Sequence, residues 1–392
     1  MSRGKAISKP RVLRKLGHLE SYEVAMHHGR FYTGTAVLCR YVIPRSVLET
    51  AAAEAGSANP EAAAVGRVLE LAVARVVLEH PLLRVGHVGE ATNNPAWVEL
   101  DSVNLAEHIE WRFPDIGATA ADEAEEGRQR RELVEEQLDI EFTEFETRPG
   151  WRVVASWLGR QRVDVLFLEH ADGGAGNRKW RKKYPWFEPT SAMGNYVAVL
   201  THRFFPETVT DMRREWAAAA AAAAAPGTLP LALRELVWTA AVMARSDINR
   251  RLEAGPKDNI MGAMRVIGNW SDFLRAKFKR VRETAWVVTN IGVIDGGEAE
   301  TTADMEEDVG GRWTVDDAEF HCSADVLTAV FEISVVSVKG KGLKTAICWP
   351  EGALDKAIGE GLADNIDAWL RELAEDGNPS MANGASTTAN LN

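Results

Sequence analysis

The side chains best suited to chemistry lie in one run, Val163-Asp164-Val165-Leu166-Phe167-Leu168-Glu169-His170-Ala171-Asp172-Gly173-Gly174-Ala175-Gly176. His170 is its centre, because an imidazole titrates nearer neutrality than any other side chain and can take a proton and return it. Val165 to Leu168 is a short continuous apolar run, which predicts a buried strand, and the glycines after it predict a turn. His170 then falls at the strand's end, where a rigid backbone meets an open surface. A site needs that pairing of a fixed side chain with access. Asp172 and the glycines would shape the turn and orient the ring. The alternative is a histidine with a structural or surface role.

Other reactive groups are scattered. His27-His28 has no third ligand at a useful spacing, so the pair is read as structural or channel-lining and no metal site is expected. Cys39, Cys322 and Cys348 form no C-x-x-C pair, which points to a reducing compartment. The glycines at 173, 174 and 176 do not complete G-x-G-x-x-G, and no Walker sequence appears, so dinucleotide and NTP enzymes fit poorly. No serine sits in a G-x-S-x-G elbow. The run Arg178-Lys179-Trp180-Arg181-Lys182-Lys183-Tyr184-Pro185-Trp186 mixes basic and aromatic residues, a pattern that suits nucleic acid or a nucleotide phosphate and equally a solvated loop.

The elements that must hold His170 can be read along the chain. With 392 residues the chain is long enough for two lobes, and its net charge of −12 excludes a general nucleic-acid binder. No apolar stretch reaches the length of a membrane span. A strand is expected over Thr35 to Val42 and a helical region from Pro44 to Glu79. Thr119 to Leu138 reads as a charged helix with a solvated face. A strand starting after Arg148-Pro149-Gly150 and passing Trp157 turns at Gly159 to Arg162 and forms a hairpin with the His170 strand. Ala217 to Ala225 is a low-complexity alanine run. Helices are expected over Leu231 to Leu252, from a cap at Ser271 to Arg280, and over Leu354 to Leu373. Strands are expected over Trp286 to Val293, Val326 to Val338 and Leu343 to Trp349, the last two joined by Lys339-Gly340-Lys341-Gly342. The alternation is that of an α/β chain with a strand-rich last third.

Six segments, in order, carry a family likeness: Leu16-Gly17-His18-Leu19-Glu20 through Tyr41, His80-Pro81-Leu82-Leu83, Arg148-Pro149-Gly150-Trp151-Arg152, His170-Ala171-Asp172-Gly173, Thr289-Asn290-Ile291-Gly292-Val293, and Ser337-Val338-Lys339-Gly340-Lys341-Gly342-Leu343. With them the chain resembles the fungal alcohol acetyltransferase family, part of the coenzyme-A-dependent acyltransferase superfamily that includes chloramphenicol acetyltransferase and peptide-synthetase condensation domains. The family's H-x-x-x-D-G motif stands here as Glu169-His170-Ala171-Asp172-Gly173, two residues shorter between His and Asp.

The resemblance implies a two-lobed chloramphenicol-acetyltransferase-like fold, with mixed sheets flanked by helices and a channel between the lobes. The expected organisation is a basic leader over 1–15, an N-terminal lobe over 16–177, a C-terminal lobe over 178–375 and a disordered tail over 376–392. Ser191-Ala192-Met193-Gly194-Asn195-Tyr196 resembles a segment that lies further downstream in the family. The second lobe is therefore expected to be incomplete, and the region from Asn177 to Gly262 less well formed than the first lobe. By resemblance His170 is the general base, Asp172 and Gly173 hold its loop, and Asn290 and Gly292 form a second-lobe motif in a supporting role. The implied reaction is acetyl transfer from acetyl-CoA, as co-substrate and without a metal, to a small or medium-chain alcohol. The alternatives are acetylation of a long-chain amine, or a catalytically inactive homologue. The expected setting is a monomer acting on small molecules, without nucleic acid or a transmembrane segment, cytoplasmic or peripheral to membranes.

Overall fold

A computed structural model describes residues 10–52, 60–113, 120–159, 161–170, 199–221, 231–254, 260–296 and 313–376. The motif residues Asp172 and Gly173, the basic run 178–186, the segment 191–196 and the tail from 377 lie outside them. The chain divides into two compact units, one within residues 1–197 and 261–350, the other within 198–260 and 351–392. The architecture is mixed α/β.

The first unit is built on a five-stranded sheet in the order β5-β6-β7-β2-β9. Its strands are β2 (Thr35–Val42), β5 (Ile109–Arg112), β6 (Trp151–Gly159), β7 (Arg162–Glu169) and β9 (Thr314–Cys322). β6 and β7 form the expected antiparallel hairpin, β2 lies antiparallel to both β7 and β9, and β5 runs parallel to β6. β6 and β7 are rich in valine, leucine and tryptophan on both faces, as a strand covered on both sides must be.

Because side chains alternate along a strand, the two faces of this sheet can be followed by parity. On one face Ala155, Trp157 and Val163 pack with Ile43, Leu48, Ala62, Val65 and Leu69. Those partners come from helices α2 (Arg45–Ala52) and α3 (Pro60–Glu79) and the residue before them. On the other face Ala36, Leu38, Val154, Leu166 and Leu168 pack against Leu133 and Val134 of helix α4 (Ala120–Asp139).

The expectation that α4 is simply a solvated charged helix is corrected here. Its outer side carries Arg128 paired with Glu125 and Glu132. Its inner side carries Glu126 and Arg130, with Leu133, Val134 and Gln137, one helical face at spacings of three and four. Arg130 reaches Asp164 of β7 at 3.2 Å, and Asp317 and Glu319 of β9 at 3.0 and 2.7 Å. Arg40 of β2 makes a two-pronged pair with Asp164 at 2.7 and 2.8 Å and also meets Glu126. Charge along α4 is thus compatible with burial because each inner charge meets a partner on the sheet. A cavity of about 350 Å³ opens beside this network, lined in part by Arg112, Phe113, Gln129, Leu133 and Leu158.

Two smaller sheets complete the unit. The first, β1-β4-β3, is antiparallel and contains β1 (Val12–Lys15), β4 (Ala96–Glu99) and β3 (Val85–Val88). The second, β11-β10-β8, pairs β10 (Phe331–Val338) antiparallel to β11 (Leu343–Cys348) and parallel to β8 (Trp286–Ile294). β10 begins later than the expected Val326, because the Asp325 carboxylate accepts from the backbone N–H of Leu327 and Thr328 and holds those residues in a turn. Helix α1 (His18–His28) and helix α7 (Trp270–Phe278) belong to this unit too, with Leu274 of α7 packed against Ala25 and Met26 of α1. The cap of α7 is Asn269, not Ser271: Asn269 is extended and its side chain accepts from the Asp272 N–H at 3.1 Å.

The second unit contains helices α5 (Pro206–Ala221), α6 (Leu231–Ala254) and α8 (Lys356–Asp376). Trp216 meets Trp369 edge-on at 5.6 Å, and Arg234 pairs with Glu372. No helix among the described residues is long and apolar enough to cross a membrane.

Candidate functional site

β7 is the strand predicted from its apolar run, and His170 follows its last residue. Glu169 is matched on one side by Thr35 of β2 and on the other by Trp151 of β6, so the backbone is held by both neighbours up to the site. The Gly150 carbonyl then accepts from the His170 backbone N–H at 3.1 Å. By parity His170 continues the row Asp164, Leu166, Leu168, on the face covered by α4.

Three elements converge on the ring. The first is the chain leaving α4. Arg152 of β6 donates to the carbonyls of Gln137 and Ile140 and lies over the Phe142 ring at 4.4 Å. A cation at a helix C-terminus suits the exposed carbonyls and the dipole there. The segment beyond is thereby anchored, and Phe142 and Phe145 come to lie 6.3 and 4.8 Å from the His170 ring, centroid to centroid. The second is α1, whose last turn brings His27 edge-on to His170 at 5.7 Å. The third is β3. Its His87 ring stacks on Phe145 at 4.1 Å and on His170 at 5.2 Å, with 19° between the two imidazole planes.

Glycines permit two of these approaches. A Cβ at Gly150 would stand 2.4 Å from Nδ1 of His170, and one at Gly86 would stand 2.0 Å from the Phe145 carbonyl oxygen. That same carbonyl accepts from the His87 N–H at 2.9 Å, which sets the position of β3 against the Phe145 segment.

The electrostatics follow from this enclosure. His27, His87 and His170 are 8, 1 and 6 % exposed. Burial pushes His27 down to about 4 and His87 down to about 3. Burial also carries His170 well below the ordinary histidine range, with the neighbouring His87 and His27 adding to the shift and a hydrogen bond to the Gly150 carbonyl opposing it. All three are therefore neutral at pH 7. The close approach of Gly150 is to the Nδ1 edge of the His170 ring. Nε2 of His170 has no hydrogen-bond partner among the described residues, nor do Nε2 of His27 and both ring nitrogens of His87. The rings meet through faces and edges, and among the described residues no group of three or more His, Cys, Asp or Glu is arranged to hold a metal.

Of the residues singled out from sequence, His170 and His27 meet in this cluster. Asn290 and Gly292 lie in β8, in the sheet with β10. Asn290 accepts from the Gly292 N–H at 2.7 Å, and Gly292 has φ +87° at a register shift against β10. They form a bulge inside the strand rather than a turn at its end. Sequence reading passed over His87, Gly86, Phe142 and Phe145. A glycine beside a histidine in an otherwise β-branched tetrapeptide, Val85-Gly86-His87-Val88, is the one local sign of a close backbone approach there.

No protein-family model matches the chain. A probable alcohol acetyltransferase, FCK4, of Fusarium pseudograminearum is 28% identical over 142 residues, covering 36% of this chain and 27% of that protein. A probable alcohol acetyltransferase, crmB, of Aspergillus fumigatus is 25% identical over 162 residues, covering 41% of this chain and 32% of that protein. Each match thus spans about a third or less of the relative's length. Among solved structures, the trichothecene 15-O-acetyltransferase TRI3 of Fusarium sporotrichioides aligns with 94% of this chain and 97% of its own at 12% identity and a TM-score of 0.48. The wax ester synthase/diacylglycerol acyltransferase of Marinobacter aquaeolei aligns with 91% of this chain and 98% of its own, at 10% identity and a TM-score of 0.46. Over the stretches matched in sequence, the chain is related to the fungal alcohol acetyltransferases.

Proposed function

We propose that the chain is an acyltransferase that moves an acetyl group from acetyl-CoA to the hydroxyl of a small or medium-chain alcohol, with His170 as general base. The observation that carries this reading is the state of the His170 ring. It is neutral, Gly150 lies against its Nδ1 edge, and its Nε2 has no hydrogen-bond partner among the described residues, at the end of a strand paired on both sides. The relationship to the fungal alcohol acetyltransferases supports the reaction class.

In the reaction, Nε2 takes the proton from the acceptor hydroxyl as its oxygen attacks the thioester carbonyl carbon. The tetrahedral oxyanion then collapses, the C–S bond breaks, and the leaving thiolate takes the proton from Nε2. The ester and free coenzyme A are the products, and His170 is returned to its starting state. A buried, uncharged ring suits both halves: it has a lone pair to accept with, and its imidazolium form is disfavoured enough to give the proton up. By the resemblance Asp172 and Gly173 hold the turn after His170, and Asn290 and Gly292 have a supporting role near the channel. An Asp172→Asn chain that lost rate with no change in melting temperature would refute the turn role.

The test is thiol release from acetyl-CoA with a panel of medium-chain alcohols and long-chain amines. His170→Ala should lower the rate by about 10²-fold or more. Full activity in that variant refutes the base assignment. A folded wild-type chain that releases no thiol with any acceptor of the panel is an inactive homologue.

A further inference from the structure

His87 has no part in the proton transfers described above, yet it is among the most completely buried side chains of the protein. Among the described residues neither of its ring nitrogens has a hydrogen-bond partner, and its Nδ1 stands 3.5 Å from the Glu90 carboxylate. An imidazole is an unfavourable filler for an apolar slot when its nitrogens go unbonded. Its surroundings show what it does there. It stacks on Phe145 at 4.1 Å with 24° between planes and on His170 at 5.2 Å with 19°, and Phe145 and His170 also meet at 4.8 Å, so the three rings form a triangle. The triangle is tied at its backbone, where the His87 N–H donates to the Phe145 carbonyl across Gly86. The His170 ring is thus held on one edge by Gly150 and on one face by His87.

We infer that His87 is a positioning residue for His170: its flat ring, packed against both Phe145 and His170, fixes the plane in which Nε2 is presented and keeps water from that side of the ring. Among the described residues, the groups facing His170 are these. His27 comes from α1, and it is acted on in turn by His28 and Glu141. His87 comes from β3 with Glu90 beyond it, and Glu90 also stands 3.5 Å from His28. Phe142 and Phe145 carry no charge. The Gly150 carbonyl is the one group that favours a proton on the His170 ring.

The kinetic part of the test rests on the reading of His170 as base; the titration part does not. The His170 imidazole is followed by ¹⁵N NMR in the full chain without substrate, its signal identified by its loss in His170→Ala. In His87→Ala water reaches the open face, so the His170 midpoint should rise by about one unit or more toward the ordinary histidine value. kcat for acetyl transfer should fall about 10- to 10²-fold, with KM for acetyl-CoA changed by less than about twofold. His87→Phe keeps a flat ring against Phe145 and His170, so it should hold the midpoint low and restore most of kcat. His87→Leu keeps the bulk without the plane. It should hold the midpoint low but not restore kcat, and it serves where the alanine variant fails to fold. A role in folding alone would lower the melting temperature while leaving midpoint and kcat in place. The inference is overturned if folded His87→Ala or His87→Leu matches wild type in kcat, or if His87→Phe is as impaired as they are. If His170→Ala retains full activity, the base reading fails, and the midpoint shift in His87→Ala still decides whether His87 shields the ring.

Discussion

Acidification should unfold this protein through its histidine cluster, and the size of the effect can be worked out. His27, His87 and His170 have folded-state pKa values below the unfolded value near 6.5: about 4, about 3, and well below the ordinary range. For a histidine whose folded pKa is depressed, the unfolded chain binds the proton first. Stability is therefore fully present above pH 6.5 and is lost as pH falls below it. Between pH 7 and pH 5 each such histidine removes about 1.9 kcal/mol, so the three together remove roughly 5–6 kcal/mol. That rivals the whole stability of an ordinary domain, about 5–15 kcal/mol. Carboxylates held low, such as Glu319 at about 2, act with the same sign but below pH 4.5. Glu90, raised by burial, acts with the opposite sign and removes up to one proton's worth of slope around and above pH 4.5. Urea unfolding at half-unit steps from pH 7.5 to 5 gives the slope directly, and proton uptake on unfolding should be between two and three around pH 5.5, by roughly the same reckoning. His87→Phe should reduce that uptake by about one. A free energy that stays level from pH 7.5 to 5, or a slope that His87→Phe leaves untouched, would refute the claim that these imidazoles are buried neutral.

Gly150→Ala places a Cβ 2.4 Å from Nδ1 of His170, so thiol release should fall about 10²-fold, and the melting temperature should fall as well; wild-type rates would show that the ring does not lean on residue 150. Arg130→Met leaves Asp317 and Glu319 facing an apolar side chain and should cost about 3–5 kcal/mol in urea unfolding at pH 7. Arg128→Ala, on the outer side of the same helix, should leave the unfolding midpoint in place. Equal midpoints for the two arginine variants would refute the division of α4 into a buried and a solvated charged face.

Much of the local structure was legible because it depends on neighbours in sequence. The continuous apolar runs of β6 and β7, the turn between them and the placement of His170 after the strand follow from side-chain alternation and turn chemistry. The helical spacing of Val65, Leu69 and Val73 likewise marks the face of α3 that packs on Trp157. What misled was charge. Thr314–Cys322 carries Asp316, Asp317 and Glu319, and reads poorly as a strand, yet it forms β9 and pairs with β2 along its whole length. Two of these acids, Asp317 and Glu319, meet Arg130, whose helix looks solvated from its composition. Each of these segments holds half of a set of ion pairs, and neither half discloses the other.

The site divides in the same way. His170 is marked in the sequence by its residue type and its position after an apolar run, and its relationship to a known motif can be read from a few adjacent residues. What encloses that histidine and keeps it neutral is contributed from elsewhere: His27 from α1, His87 from β3, and Phe142 and Phe145 from the chain beyond α4. The amino-acid sequence determined which ring can carry a proton. The tertiary structure alone decided that the ring is dry and neutral, because desolvation and ring stacking arise only when segments far apart in the chain close around the same point.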